Sequence, residues 1–394
     1  MVSVNTAEQI LTGARVVTPG GVAQPGWVRV SGGTIAAVGD GAVGDRAGAE
    51  RAVPRGPAIE LSGSWLVPGF VDIHCHGGGG GSFTSLDPDQ TQAAVGHHRA
   101  HGTTTMLASL VSAPIPELVK QITALTELTA EGLLAGVHLE GPFLSHARCG
   151  AHAPEALRAP ERDDVRQLLE AGRGAVRMVT LAPELPGAQE AVRQLVDGGA
   201  IAAVGHTDAD ADQVLAAVDA GATVATHLFN GMRPLHHREP GPVGALLDDG
   251  RVDVELICDL VHLHPTIARI AATHAGADRT ILVTDAISAT GAGDGTYELG
   301  ALPVTVVDGE PRLADGSLAG STLTMDAAFR NLVRDCGLSV PAAVAATSTN
   351  PARRLGLTEV GEIRPGAAAD LVVLDDDLVV QGVMRRGRWL ADPR

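Results

Sequence analysis

Eight short apolar runs, alternating with longer segments of helical texture, dominate the middle of this 394-residue chain. The runs are Gly69–Ile73, Thr103–Ala108, Leu134–Leu139, Val176–Leu181, Ala200–Val204, Ala222–Thr226, Val252–Ile257 and Thr280–Val283. A parallel strand covered by helices on both faces is apolar along its length, whereas a half-exposed strand alternates. Amphipathic stretches such as Asp163–Ala171, Ala188–Gly198, Ala209–Ala220 and Pro265–His274 lie between the runs. Eight buried strands interleaved with helices predict an α/β fold, specifically a (β/α)8 TIM-like barrel.

Both chain ends read as β-structure. Leu11–Val17, Trp27–Val30 and Thr34–Val38 are separated by turn-forming Pro-Gly, Gly-Gly and Gly-Asp pairs. Ala369–Leu374, Val379–Arg385 and Arg388–Leu390 have the same character. Because chain termini often lie close together, the two ends are expected to form one small β-sandwich domain. That domain comprises residues 1–65 and 355–394, with a catalytic barrel over 66–354. The stretch Gly41–Pro57, rich in Gly, Ala and Pro, reads as a loop.

In the barrel fold the active site sits where strands end, at the C-terminal face. Here the runs lead into Asp72-Ile73-His74-Cys75-His76, His138-Leu139-Glu140, Gly205-His206, His227, Cys258-Asp259-Leu260-Val261-His262 and Thr284-Asp285. Each residue alone has an ordinary structural explanation, but their joint placement at strand ends points to a metal centre. Alternate residues of an extended chain share a face, so His74 and His76 can both look into the barrel mouth. His206 and His227 can converge beside them, Glu140 can bridge two ions or complete the shell of one, and Asp285 stands across the barrel. Imidazole with carboxylate suits zinc, with iron, manganese or cobalt as alternatives. Some two-metal barrel hydrolases bridge their ions with a carbamylated lysine after the fourth strand. The only lysine here is Lys120, after the second run, and the fourth run leads into Ala182-Pro183-Glu184. Glu140 is the natural replacement.

The charge balance narrows the partners. A formal charge of −17 argues against nucleic acid and against anionic membrane surfaces. An anionic substrate would need a local basic cluster, for which Arg233, His236, His237 and Arg238 are the candidates. No apolar run reaches the roughly 20 residues needed to span a bilayer. The start of the chain lacks a basic segment followed by an apolar one, so a cytoplasmic location is expected. The four cysteines form no C-x-x-C pair and read as reduced thiols.

Several segments resemble the N-acetylglucosamine-6-phosphate deacetylases of the amidohydrolase superfamily. They include Pro68–Gly77, His138-Leu139-Glu140-Gly141-Pro142-Phe143-Leu144, Val204–Ala209, His227-Leu228-Phe229-Asn230-Gly231-Met232, Arg238-Glu239-Pro240-Gly241 and Leu282–Ala286. Gly361–Gly366 followed by Ala369–Val372 is a more general amidohydrolase feature. The resemblance implies metal-dependent hydrolysis of the acetamide of N-acetylglucosamine-6-phosphate, giving acetate and glucosamine-6-phosphate. It implies Glu140, His206 and His227 as metal ligands, to which His74 and His76 add capacity for a second ion. It implies Asp285 as general base and acid, His262 as a contact to the acetamido carbonyl, and His152 as a contact to a sugar hydroxyl. Asn230 and Gly231 match positions that hold phosphate. Arg238 matches an arginine that reaches a neighbouring subunit's substrate, which implies a homodimer. The segment Leu144–Cys149 departs from the asparagine and lysines usual there. Two other readings compete: a deacetylase of a related sugar such as N-acetylgalactosamine-6-phosphate, and a barrel that has lost catalysis and serves as a scaffold.

Overall fold

A computed structural model describes residues 8–41 and 58–393. The expected loop Gly41–Pro57 lies, apart from Gly41, outside the described residues. The chain divides into two compact units, one made of Met1–Val71, His98–Thr105 and Met325–Arg394, the other of Asp72–His97 and Met106–Thr324.

The first unit is built on a sheet to which both chain ends contribute. Gln9–Thr18, Gly21–Ser31 and Thr34–Asp40 form an antiparallel meander, and Leu371–Leu374, Val380–Arg385 and Arg388–Ala391 form a second. Trp65–Pro68 joins them, pairing with the first strand on one side and with Leu371–Leu374 on the other. Leu11, Val16, Val28, Ile35, Leu66, Leu371, Val373 and Met384 share one core, on which the sheet closes as a small sandwich. The alternation of buried and exposed residues in these strands supplies that inward face.

The second sheet is the barrel. Its parallel strands are Phe70–Asp72, Thr103–Val111, Gly136–Glu140, Val176–Leu181, Ile201–Val204, Val224–Ala225, Asp253–Ile257 and Thr280–Val283, each paired with its sequence neighbour. The ring closes through loop backbone: the Asp285 N–H donates to His74 O at 2.8 Å, and the His76 N–H donates to Ala286 O at 2.8 Å. A buried bond from Thr284 Oγ1 to Asp72 Oδ2, 2.6 Å, braces the seam. Helices Arg162–Gly172, Ala188–Asp197, Ala211–Ala220 and Pro265–Ala275 occupy the expected amphipathic stretches. The third starts two residues later than its apolar pattern suggests. Asp210 accepts from Gln213 N and Gln213 Oε1 accepts from Asp210 N, a reciprocal cap that fixes the first turn.

One element has no counterpart in the strand pattern expected from the sequence. After the eighth barrel strand, Gly295–Leu299, Leu302–Val307 and Glu310–Arg312 form an antiparallel three-stranded sheet. Val304 and Val306 face inward while Pro303, Thr305 and Val307 face out, and the inner face packs on Ile287, Leu299 and Ala319. The glycine run after His76 is a tight hairpin, Gly77-Gly78 against Gly81-Ser82. A Cβ at Gly81 would stand 2.1 Å from Gln90 O, and one at Gly77 would stand 2.3 Å from Gly81 O. Only hydrogen fits there, which is what places close-packed backbone beside the His-x-His segment.

Candidate metal centre and active site

Polar residues at the strand ends converge on one buried point. Glu140 is the last residue of the third strand, and its two oxygens face different imidazoles. Oε1 lies 3.0 Å from His206 Nε2 and 2.9 Å from His227 Nε2. Oε2 lies 3.1 Å from His76 Nε2 and 3.6 Å from His74 Nε2. Asp285 Oδ1 closes the second group, 3.2 Å from His76 Nε2 and 3.5 Å from His74 Nε2. Two donor clusters thus share one carboxylate.

The outer nitrogens decide which way these rings present their lone pairs. His206 Nδ1 is 2.9 Å from Arg148 O, and His76 Nδ1 is 3.2 Å from Ser109 O. A carbonyl oxygen only accepts, so each Nδ1 carries a hydrogen and Nε2 is the nitrogen turned inward, the one that would offer its lone pair to a cation. His74 Nδ1 is held likewise by Glu255 Oε2, at 3.3 Å. The inward nitrogens then confront each other, 3.1 Å apart for His206 and His227 and 3.2 Å apart for His74 and His76. Lone pairs aimed at one another and at a carboxylate form a donor set for a divalent cation, and outer Nδ1–H bonds of this kind orient ligand imidazoles.

His152 belongs to the same cluster but has the opposite tautomer. Its Nδ1 accepts from the Ser112 backbone N–H at 3.2 Å, so the hydrogen sits on Nε2, 3.3 Å from Glu140 Oε2. Burial above all pushes this imidazole down to about 4, which keeps it neutral. With no inward lone pair it is a donor rather than a metal ligand. His138 forms a neutral floor. Its ring lies 4.5 Å from that of His74, burial holds its pKa well below the ordinary value, and Ser109 Oγ and Thr180 Oγ1 hold its two nitrogens.

Across the cavity, His262 Nδ1 lies 2.6 Å from Asp259 Oδ2. Burial disfavours the imidazolium, but the bond to Asp259 and its charge outweigh burial and raise the His262 pKa. For Asp285 burial again opposes ionisation, and the neighbouring His74 and His76 overcome it, holding the carboxyl down to about 2. The cavity, about 250 Å³, is lined by His76, Glu140, His152, His206, His227, Asn230, Gly231, His262 and Asp285, with Leu299 and Leu318 supplying an apolar wall. His74 lies beneath this surface, completely buried. Arg238 is exposed and is not among the lining residues; its Nη1 contacts its neighbour His237. Of the basic cluster, Arg233 is tied to Asp208, which also binds Arg148.

Two partners escaped the reading of the sequence. Glu255 is a completely buried carboxylate inside the seventh strand, where it serves both His74 and the His227 backbone N–H, the latter at 3.2 Å. The signal was available: an acid within the otherwise apolar segment Val254–Ile257. Asp259 was visible in the sequence but was given no role.

Comparisons with known proteins identify the family. Residues 65–390 match the model of the amidohydrolase family. The chain is 38% identical over 334 residues to an N-acetylgalactosamine-6-phosphate deacetylase of Escherichia coli O157:H7, covering 84% of this chain and 88% of that one. It is 35% identical over 341 residues to an N-acetylglucosamine-6-phosphate deacetylase of Lysinibacillus sphaericus, covering 84% and 86%. Among solved structures, a mutant N-acetyl-D-glucosamine-6-phosphate deacetylase from Mycobacterium smegmatis, in complex with N-acetyl-D-glucosamine-6-phosphate, superposes with a TM-score of 0.93 at 47% identity. That match covers 98% of this chain and 100% of the other.

Proposed function

The chain belongs to the amidohydrolase family and, within it, to the N-acetylglucosamine-6-phosphate deacetylases, and from that premise we propose the following course for its reaction. The enzyme hydrolyses the acetamide of N-acetylglucosamine-6-phosphate to acetate and glucosamine-6-phosphate, a step of amino sugar catabolism. The observation that carries the reading is the shared carboxylate: Glu140 faces His206 and His227 with one oxygen and His74 and His76 with the other, opposite Asp285.

His74, His76, Glu140, His206 and His227 would hold one or two divalent ions, zinc being the identity we propose. A divalent ion bound there supplies Lewis acidity, lowering the pKa of water and polarising a carbonyl. Asp285, the carboxylate that faces His74 and His76 beside Glu140, takes the proton from the attacking water. It then returns that proton to the departing nitrogen, because an unprotonated amine leaves poorly. His262 has its Nδ1–H committed to Asp259, so in its charged form Nε2–H is left to donate to the acetyl oxygen as charge develops there. His152 is proposed to hold a sugar hydroxyl, and Asn230 and Gly231 to hold the phosphate. Arg238, exposed on its loop, is proposed to reach the neighbouring substrate in a homodimer. We assign the functional division to a small β domain of residues 1–65 and 355–394 and a catalytic barrel of 66–354, and the location to the cytoplasm. No helix among the described residues is long and apolar enough to cross a membrane.

A second reading is favoured by the relative from Escherichia coli O157:H7, whose name gives N-acetylgalactosamine-6-phosphate. The two sugars differ at one hydroxyl. The test is acetate release by metal-analysed protein from both sugar phosphates and from unphosphorylated N-acetylglucosamine. Preference for N-acetylglucosamine-6-phosphate supports the reading. Preference for the galacto epimer replaces the substrate, and activity on neither sugar phosphate refutes the assignment.

A further inference from the structure

Beyond the fifth barrel strand, residues 206–208 are fastened to the loops that follow three other strands. After the fourth strand, Glu184 Oε2 accepts from Thr207 Oγ1 at 2.5 Å and its Oε1 accepts from the Asp208 N–H at 2.7 Å. After the sixth, Gly231 O accepts from the Thr207 N–H at 2.9 Å, and the Arg233 N–H donates to Thr207 O at 3.0 Å. After the third, the Ser145 N–H donates to His206 O at 3.0 Å, and Arg148 O holds His206 Nδ1. A Cβ at Gly150 would stand 3.0 Å from His206 Cε1, and one at Gly231 would stand 2.7 Å from Nδ1. The loops after the third and sixth strands therefore press on adjacent atoms of one imidazole.

Asp208 joins these two loops through its side chain. Its Oδ1 accepts from Arg148 Nε and Nη2, each at 2.8 Å, and its Oδ2 accepts from Arg233 Nη2 at 3.0 Å. Arg148 stands four residues before His152, and Arg233 stands two residues after Gly231. The loop assigned to a sugar hydroxyl and the loop assigned to the phosphate thus share one carboxylate. Neither arginine lines the catalytic cavity, so neither reaches the substrate directly. The side chains of Arg148, Asp208 and Arg233 are 33%, 32% and 36% exposed, and ion pairs in such positions add little to stability. What the pairs do is hold two contact loops at a fixed separation, and binding geometry is sensitive to small displacements.

We propose that Asp208 is a positioning residue for substrate binding, a clamp that sets the distance between the hydroxyl contact at His152 and the phosphate contacts at Asn230 and Gly231. The proposal rests on the deacetylase reading above. Glu184 seats the clamp by holding the Asp208 backbone, and the two guanidiniums carry its grip to the loops.

The test uses full-length, metal-loaded protein, with steady-state acetate release from N-acetylglucosamine-6-phosphate and calorimetric titration of glucosamine-6-phosphate. Asparagine at position 208 keeps one acceptor oxygen but turns its NH2 toward the other guanidinium, so one loop is released. Asp208→Asn should raise KM at least about tenfold, the weight of one charge-assisted hydrogen bond. Its kcat and metal content should match wild type, the pattern of lost uniform binding rather than lost chemistry. Affinity for glucosamine-6-phosphate should fall by the same factor. Arg148→Gln and Arg233→Gln should each raise KM, and the double variant should be no worse than the more affected single variant, because either cut severs the join. An unchanged KM in Asp208→Asn, a KM lowered by freed arginines drawing in the phosphate, single effects that multiply in the double variant, or a kcat lost together with the metal would each overturn the proposal. Wild type inactive on either sugar phosphate would sink the deacetylase reading alone, with the clamp still judged by glucosamine-6-phosphate affinity. Failure of wild type to bind that ligand as well would sink both.

Discussion

Glu255→Gln is the perturbation that separates holding a metal from doing the chemistry. In the native site Glu255 Oε2 accepts from both His74 Nδ1–H and the His227 backbone N–H, while Oε1 is buried with no hydrogen-bond partner. Glutamine can keep its oxygen at the Oε2 position. Its NH2 then occupies the Oε1 position, where two buried donors meet no acceptor. That desolvation costs about 1–3 kcal/mol. The variant also removes a negative charge behind His74, whose Nε2 faces Glu140 and Asp285. Loss of such an outer partner typically weakens metal affinity about 10–100-fold, or about 1.4–2.7 kcal/mol. Metal content per chain should be followed by elemental analysis across a chelator series, and kcat at saturating metal. The expected result is metal loss at lower chelator concentration with kcat recovered on reloading. Chelator resistance equal to wild type would refute the reasoning about His74. Loss of kcat at full metal occupancy would show that Glu255 acts in the reaction itself.

Asp259→Asn should lower the pKa of His262 and move the alkaline limb of kcat/KM to lower pH. Asp259 raises that pKa above the ordinary value of about 6.5, so the Nε2–H is fully present below that value and is lost as pH rises through the raised one; an unmoved limb sinks this role. Gly231→Ala should cost at least about 1 kcal/mol, as alanine does at positive φ, and should raise KM. Its Cβ would stand 2.7 Å from His206 Nδ1 at a φ of 61°, and unaltered Tm and KM would show that the loop yields freely.

Most of the barrel was legible because buried parallel strands have an unmistakable texture. Val176–Leu181 and Thr280–Val283 are bounded in the structure where the apolar runs begin and end. The three-stranded insertion was not legible for a contrasting reason. Leu302–Val307 alternates over six residues between Gly-rich turns, and after eight strands had already filled the barrel pattern nothing required another sheet. The converging residues were readable from their position after strands. Their division of labour was not, because it depends on what holds the far side of each ring. His152 and His206 are equally histidines in the sequence. Ser112 N–H makes His152 a donor to Glu140, and Arg148 C=O leaves His206 with an inward Nε2 that would share a cation with Glu140.

The backbone carries a second pattern that letters do not reveal. His206, His227 and Asp285 each stand two residues beyond a barrel strand, and all three have positive φ, at 46°, 26° and 50°. Residues other than glycine rarely adopt this region, at a cost of order 1–3 kcal/mol each, and none of the three is glycine. The left-handed kink ends each strand and turns the next polar side chain over the barrel mouth, where it meets Glu140 or His76. Strain at these positions is thus offset by the convergence it creates, and it bears on how Asp285 should be tested. Alanine there would remove the carboxylate and also strain a backbone that aspartate tolerates. Asparagine accepts left-handed φ as readily as aspartate and keeps the shape, so Asp285→Asn isolates the proton transfers. General acid–base groups contribute about 10²–10⁴-fold, so kcat should fall by that factor while Tm stays within about 1 kcal/mol of wild type in stability terms. Metal content should be retained through His206, His227 and Glu140. Turnover surviving in a fully metallated Asp285→Asn variant would assign the proton transfers to another residue, whereas turnover lost together with the metal would make Asp285 a ligand first.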